Sequence, residues 1–155
     1  MDSPKPAIPP STRFLKYWFP VFTILVIQFS FSTNAFSSSE TSRFIIPILK
    51  VLMPHSDPGR LVFWHHVIRK AAHVTEYCIL GVFTFRAIAF DIPHQSRVRI
   101  LTVLFVAAAA LGDEFHQSFV PSRGSSIVDV GYDFIGGVIA ILLVWAWRNT
   151  RVAEQ

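Results

Sequence analysis

Between two apolar runs the chain carries LGDEFHQSFVPSRGSSIVDVGYD, residues 111–133, which sets Asp113, Glu114, His116, Gln117, Arg123, Asp129 and Asp133 close together. A second polar group, Lys70, His73, Glu76 and Tyr77, opens the apolar run that begins RKAAHVTEYCIL. Bases of this kind grip a phosphate or carboxylate, with arginine able to do so bidentately, while acids accept hydroxyl or amine donors or hold a cation. The spacing is helical: Lys70, His73 and Tyr77 follow i, i+3, i+7; Asp113 and Gln117 follow i, i+4; Ser126, Asp129 and Asp133 follow i, i+3, i+7. Each helix therefore presents one polar stripe. Lys70 and Arg123 face five potential negatives, Glu76, Asp113, Glu114, Asp129 and Asp133, and His73 and His116 can titrate. Such an excess of acid is resolved by protonation, by a bound cation or amine, or by water.

The elements that carry these stripes are greasy. Of 155 residues 52% are hydrophobic and 15% charged, well below the soluble average of about 25% charged. Composition thus predicts an all-α fold, a polytopic membrane bundle of four transmembrane helices plus a short interfacial or re-entrant helix. The net charge of +4 is spread between apolar runs and not gathered in one patch, which speaks against a nucleic-acid partner. Cys78 is the single cysteine and forms no internal disulfide.

Residues 1–12, with four prolines, read as a disordered cytoplasmic tail, residues 13–150 as the membrane domain and 151–155 as a second short tail. The first span contains YWFPVFTILVIQFSFS and starts behind Arg13 and Lys16; TNA at 33–35 is a poor cleavage site, so the segment reads as a span and not as a signal peptide. Residues 40–54 are too short to cross and carry Pro47 and Pro54, as suits an interfacial segment. Further spans are expected over about 66–90, 99–119 and 127–147. Lys5, Arg13, Lys16, Arg86, Arg97, Arg99, Arg148 and Arg151 fall to one side, against Arg43, Lys50, Arg60, Arg69, Lys70 and Arg123 on the other. This bias places both termini in the cytoplasm.

The uncharged stretch Ile100–Gly112 is shorter than the roughly 20 residues that cross hydrocarbon. If its helix spans, Asp113, Glu114 and Gln117 enter the outer third, and Lys70, His73 and Glu76 do so on the preceding span. Antiparallel topology then collects all three stripes at the outer face, turned toward one another. Several neighbours read as ordinary: His116 and Arg69 as interfacial residues, Asp57 and Asp91 as loop residues, and Gly136, Gly137 and Ala140 as sites of close helix packing. A structural ion-pair network is the plain alternative for Lys70, Asp113, Glu114, Asp129 and Asp133.

These motifs resemble the VanZ-like family of small bacterial membrane proteins. The family's Lys, His, Tyr and Leu are similar to Lys70, His73, Tyr77 and Leu80. Its second signature is similar to Asp113, Glu114, Gln117, Phe119, Pro121, Arg123, Ser126, Asp129 and Gly136, and FSSSETS at 36–42 is similar to the segment after its first span. Two positions depart: Asp133 stands where Asn is frequent, and Ser122–Arg123 replaces a frequent Gly–Arg step. The resemblance implies a multi-pass protein of the bacterial inner membrane, in a family named for low-level teicoplanin resistance, and no established reaction or cofactor.

Three functions follow as expectations. The first is binding of membrane lipids or an amphiphilic envelope molecule, a lipid-linked cell-wall precursor or a glycopeptide, by Lys70, His73, Glu76, Tyr77, Asp113, Glu114, Gln117, Arg123, Ser126, Asp129 and Asp133. The second is a membrane hydrolase or transferase with His73 or Glu114 as general base and Asp113, Asp129 and His73 around a divalent ion, although no H-E-x-x-H spacing occurs. The third is a structural or ion-transporting bundle.

Overall fold

The computed structural model describes residues 9–124 and 126–153. Every regular element among them is helical: α1 (Pro10–Arg13), a π-helical turn (Phe14–Trp18), α2 (Phe19–Phe31), a 3-10 turn (Asn34–Phe36), α3 (Ser38–Leu52), α4 (Pro58–Asp91), α5 (Gln95–Gln117) and α6 (Ile127–Ala153). The tail expected at 1–12 lies outside the described residues up to Ile8, but the helix already begins at Pro10, since proline is well suited to a first helical position. At the other end α6 runs on to Ala153, past the expected boundary at 150.

Local chemistry sets the helix ends. The wide turn over Phe14–Trp18, in which the Phe19 N–H reaches back to the Phe14 carbonyl, precedes Pro20, whose missing N–H and bulky ring would interrupt an α ladder. Ser37 caps α3 by accepting from the Glu40 N–H at 3.3 Å, within an S-x-x-E sequence. Asp57, expected in a loop, caps α4 by accepting from the Arg60 N–H at 3.0 Å, with Pro58 in the first turn. Helix α4 spans 34 residues, about 51 Å at 1.5 Å per residue, and so starts well before the expected position 66.

Ser11–Phe31 and Ile127–Asn149 are the two segments among the described residues that are long and apolar enough to cross a membrane. Helices α4 and α5 are long enough, but Arg69, Lys70, Glu76 and Arg86 interrupt the first, and Arg97, Arg99, Asp113 and Glu114 shorten the apolar part of the second. Large apolar side chains cover the outside, among them Phe22, Val26, Phe29, Ile100, Leu104, Leu142 and Trp145. On α3 the exposed Phe44, Ile48, Val51 and Leu52 share one face, the pattern of a helix lying in an interface.

Helix α4 packs most extensively on α6, and both contact α5. Small residues permit this. A Cβ added at Gly136 would stand 2.4 Å from the Val74 carbonyl oxygen and 3.0 Å from the Cys78 nitrogen, so the α4 backbone passes directly over Gly136. Gly81 meets Ala140 in the same seam, and Gly137 receives Val106 from α5. Around it lies a core of Val21, Tyr77, Leu80, Ala87, Val106 and Ala110. At one end Arg13 pairs with Asp91, which is the last residue of α4 and not a loop residue, and Arg148 bonds Gln95. The polar stripes occupy the opposite end.

This seam gives a direct test. Gly136→Ile must push α4 and α6 apart and should destabilise by about 1–3 kcal/mol, the usual range for overpacking. Gly131 on the same helix has no neighbour within 4 Å of an added Cβ. Gly131→Ala should therefore leave the melting temperature in detergent unchanged or raised, while Gly136→Ile lowers it by roughly 2–4 °C per kcal/mol.

Candidate functional site

Helices α4, α5 and α6 do bring their polar stripes together. Lys70 forms an ion pair with Asp129, and its ammonium lies 5.4 Å from the centroid of the Tyr132 ring. One turn deeper, His73 Nδ1 lies 3.1 Å from Oδ1 of Asp133, a residue with no exposed surface. On α5, Asp113 accepts from the Ser32 hydroxyl through one oxygen and from Gln117 Nε2 at 2.8 Å through the other. Glu114 accepts from the Ser126 N–H at 2.6 Å and so fastens the end of α5 to the start of α6. The Ser126 hydroxyl accepts from the Val128 N–H at 3.2 Å, a helix-capping role.

Two adjoining cavities lie beside this network and share Arg69, His73 and Arg123 in their walls. The first, about 200 Å³, is polar and includes Lys70, Gln117, Ser122 and Asp129. The second, about 180 Å³, is mostly apolar and includes Phe31, Phe36, Ile45, Ile68 and Glu76. The sequence-derived set therefore divides. Lys70, His73, Glu76, Gln117, Arg123 and Asp129 line the cavities, whereas Tyr77, Asp113, Glu114, Ser126 and Asp133 line neither. Tyr77 belongs to the hydrophobic core, and Glu114, offered as a general base, is held against a backbone N–H away from both spaces.

The two guanidiniums are held without carboxylates. Arg123 donates to the carbonyl oxygens of Phe31 and Phe36, the latter at 2.6 Å, and its Nε is buried with no partner. Arg69 donates to the Phe36 carbonyl at 3.0 Å and to the Thr41 hydroxyl at 2.9 Å. Burial lowers the Arg123 pKa, and Asp113 and Glu76 oppose the shift; a guanidinium stays charged at neutral pH. Among the described residues neither arginine has a carboxylate within ion-pair distance, although Glu76 shares the wall of the apolar cavity with both.

Sequence reasoning left some residues out of the candidate set. Arg69, read as an ordinary interfacial residue, sits in the walls of both cavities; its i, i+4, i+7 relation to His73 and Glu76 was the available signal. Ser32 was missed, although it follows Gln28 by four residues at the C-terminal end of α2 and both are buried. Of Asp113, Asp129 and His73, the candidate ion ligands of the hydrolase reading, the structure brings two together. Lys70 takes Asp129, and the groups that meet are His73, Asp113 and Asp133, whose ligand atoms lie within 4.8 Å of one another. His116 stands apart, stacked on Phe29 with ring centroids 4.1 Å apart.

Among known proteins, a family model described as VanZ/LLP1 matches residues 14–148, from the π-helical turn through most of α6. No curated protein and no solved structure matches the chain.

The Lys70–Asp129 pair yields a prediction. Lys70→Met leaves Asp129 unpaired where its side chain is 18% exposed, while Lys70 itself is 35% exposed and partly screened by water. The loss should be about 1–2 kcal/mol, less than the roughly 3–5 kcal/mol of a fully buried pair. Lys70→Met combined with Asp129→Leu should lose less than the single substitution when unfolding is followed in detergent.

Proposed function

The chain belongs to the VanZ/LLP1 family, and from that premise we propose that it is a multi-pass membrane protein that binds an amphiphilic envelope molecule by its anionic head. In this reading α1–α2 together, α4, α5 and α6 cross the bacterial inner membrane, both termini are cytoplasmic and α3 lies in the outer interface. Arg69, Lys70 and Arg123 meet the head beneath the outer headgroups. Two helices with the length and composition of a span, and the apolar outer surface of the others, support the membrane placement.

One observation carries the reading. Arg69 and Arg123 are bonded to neutral carbonyl and hydroxyl oxygens at the junction of a polar and an apolar cavity. An ion pair that served stability alone would set carboxylates against them, as Asp129 is set against Lys70. Charge left available on two guanidiniums suits a phosphate or carboxylate, and the neighbouring wall of Phe31, Phe36, Ile45 and Ile68 suits a hydrocarbon chain. A lipid-linked cell-wall precursor and a lipoglycopeptide both combine these two chemistries.

Binding can be measured with a polyprenyl monophosphate, and with the uncharged polyprenol as control. Charge-assisted hydrogen bonds contribute about 1.5–3 kcal/mol each, so Arg123→Gln should weaken phosphate-lipid binding by roughly tenfold to a hundredfold and leave polyprenol binding unchanged. Equal affinity of the wild type and both Arg123→Gln and Arg69→Gln for the phosphate lipid would remove the basis of the proposal.

A further inference from the structure

Behind the two arginines lies a group of donors with a different preference. Asp133 has no exposed surface; its Oδ1 contacts His73 Nδ1, and its Oδ2 is buried with no partner. The Asp113 carboxylate faces this pair, and one ligand atom from each of His73, Asp113 and Asp133 lies within 4.8 Å of the other two. We propose that these three residues form a divalent-cation site.

Two independent observations carry the proposal. The donors converge from three different helices, and one of them presents an oxygen that the protein itself leaves without a hydrogen bond. Leaving a carboxylate oxygen bare in a dry interior is costly, and a dication removes that cost while offsetting both negative charges. A neutral imidazole with two carboxylates suits Zn²⁺ or Mn²⁺ better than Mg²⁺, which favours oxygen ligands and retained water. Ligand atoms about 2.0–2.2 Å from such an ion in tetrahedral geometry lie roughly 3.3–3.6 Å apart, so side-chain adjustments that draw the three donors together by up to about 1 Å complete the contact.

The surroundings have the form of an outer shell. Ser32 and Gln117 each donate to a different oxygen of Asp113, which fixes the plane of that carboxylate. A carboxylate has about four lone-pair sites, so Asp113 can keep both bonds and still bind an ion. Asp129 is excluded because Lys70 neutralises it. His73 also lines both cavities, which puts the ion next to the space assigned to an anionic head. The site stands on its donor set and does not require that assignment.

The test uses the full chain in detergent without added lipid, stripped with a chelator and titrated calorimetrically with Zn²⁺ and with Mn²⁺. The expected result for at least one ion is a saturable isotherm of one ion per chain, with a rise in melting temperature on binding. Asp133→Asn and His73→Gln should each weaken binding by about a hundredfold or more, beyond the 10–100-fold typical of losing an outer-shell partner. His55→Gln and His94→Gln, which remove histidines far from the three donors, should bind as the wild type does. Absence of saturable binding of either ion by the wild-type chain overturns the proposal even if a variant fails to fold. So does binding that survives both Asp133→Asn and His73→Gln, or that disappears with His55→Gln and His94→Gln. Because no lipid is present, either result leaves the lipid-binding test independent.

Discussion

In the proposed four-span arrangement a charge turned toward hydrocarbon costs up to about 2.5–3.5 kcal/mol, the value at the centre of a span, and α4, α5 and α6 each carry several toward one end. Those groups must turn inward, which requires the helices to approach closely enough for short side chains to meet. Gly136 provides that approach. A Cβ there would meet Val74, Tyr77 and Cys78 of α4, the turn that begins directly after His73, and Gly136 itself lies about one turn along from Asp133. The contact between small residues therefore also sets the distance at which His73 meets Asp133 and Lys70 meets Asp129.

The network has an inner group of acids and an outer group in which bases and acids line the cavities together. Inside, Asp113, Glu114 and Asp133 bind hydroxyl, amide and imidazole groups and leave Glu114 Oε1 and Asp133 Oδ2 without partners. Outside, the two arginines bind neutral oxygens and line the cavities. Asp113, Glu114 and Asp133 thus lie outside the cavity walls, whereas Glu76 and Asp129 share those walls with the bases. The segment between α2 and α3 closes this arrangement, since the Phe31 and Phe36 carbonyls accept from Arg123.

Much of this was legible in the sequence because helical spacing is a strong signal. The stripes on α4, α5 and α6, their common end and the glycine seam all follow from positions three, four and seven apart. What spacing could not supply was the choice among competing partners. Asp129 and Asp133 lie on one face of α6, and only the structure shows that the shallower one meets Lys70 and the deeper one His73. Ser32 carries no charge, so nothing in its own type marked it as the partner of Asp113. The early start of α4 was hidden by His65 and His66 within its apolar pattern, although Asp57–Pro58 is a recognisable opening.

The account rests most directly on α4 and α6 meeting through His73 and Asp133. Paired cysteines test this in native membranes of a Cys78→Ser background, with oxidative linkage read by mass spectrometry of the joined peptides. His73→Cys with Asp133→Cys should link readily, while His73→Cys with Phe134→Cys should not, because Phe134 is exposed on the outside of α6. Failure of the 73/133 pair to link, or equal linkage of both pairs, would contradict the arrangement on which the site depends.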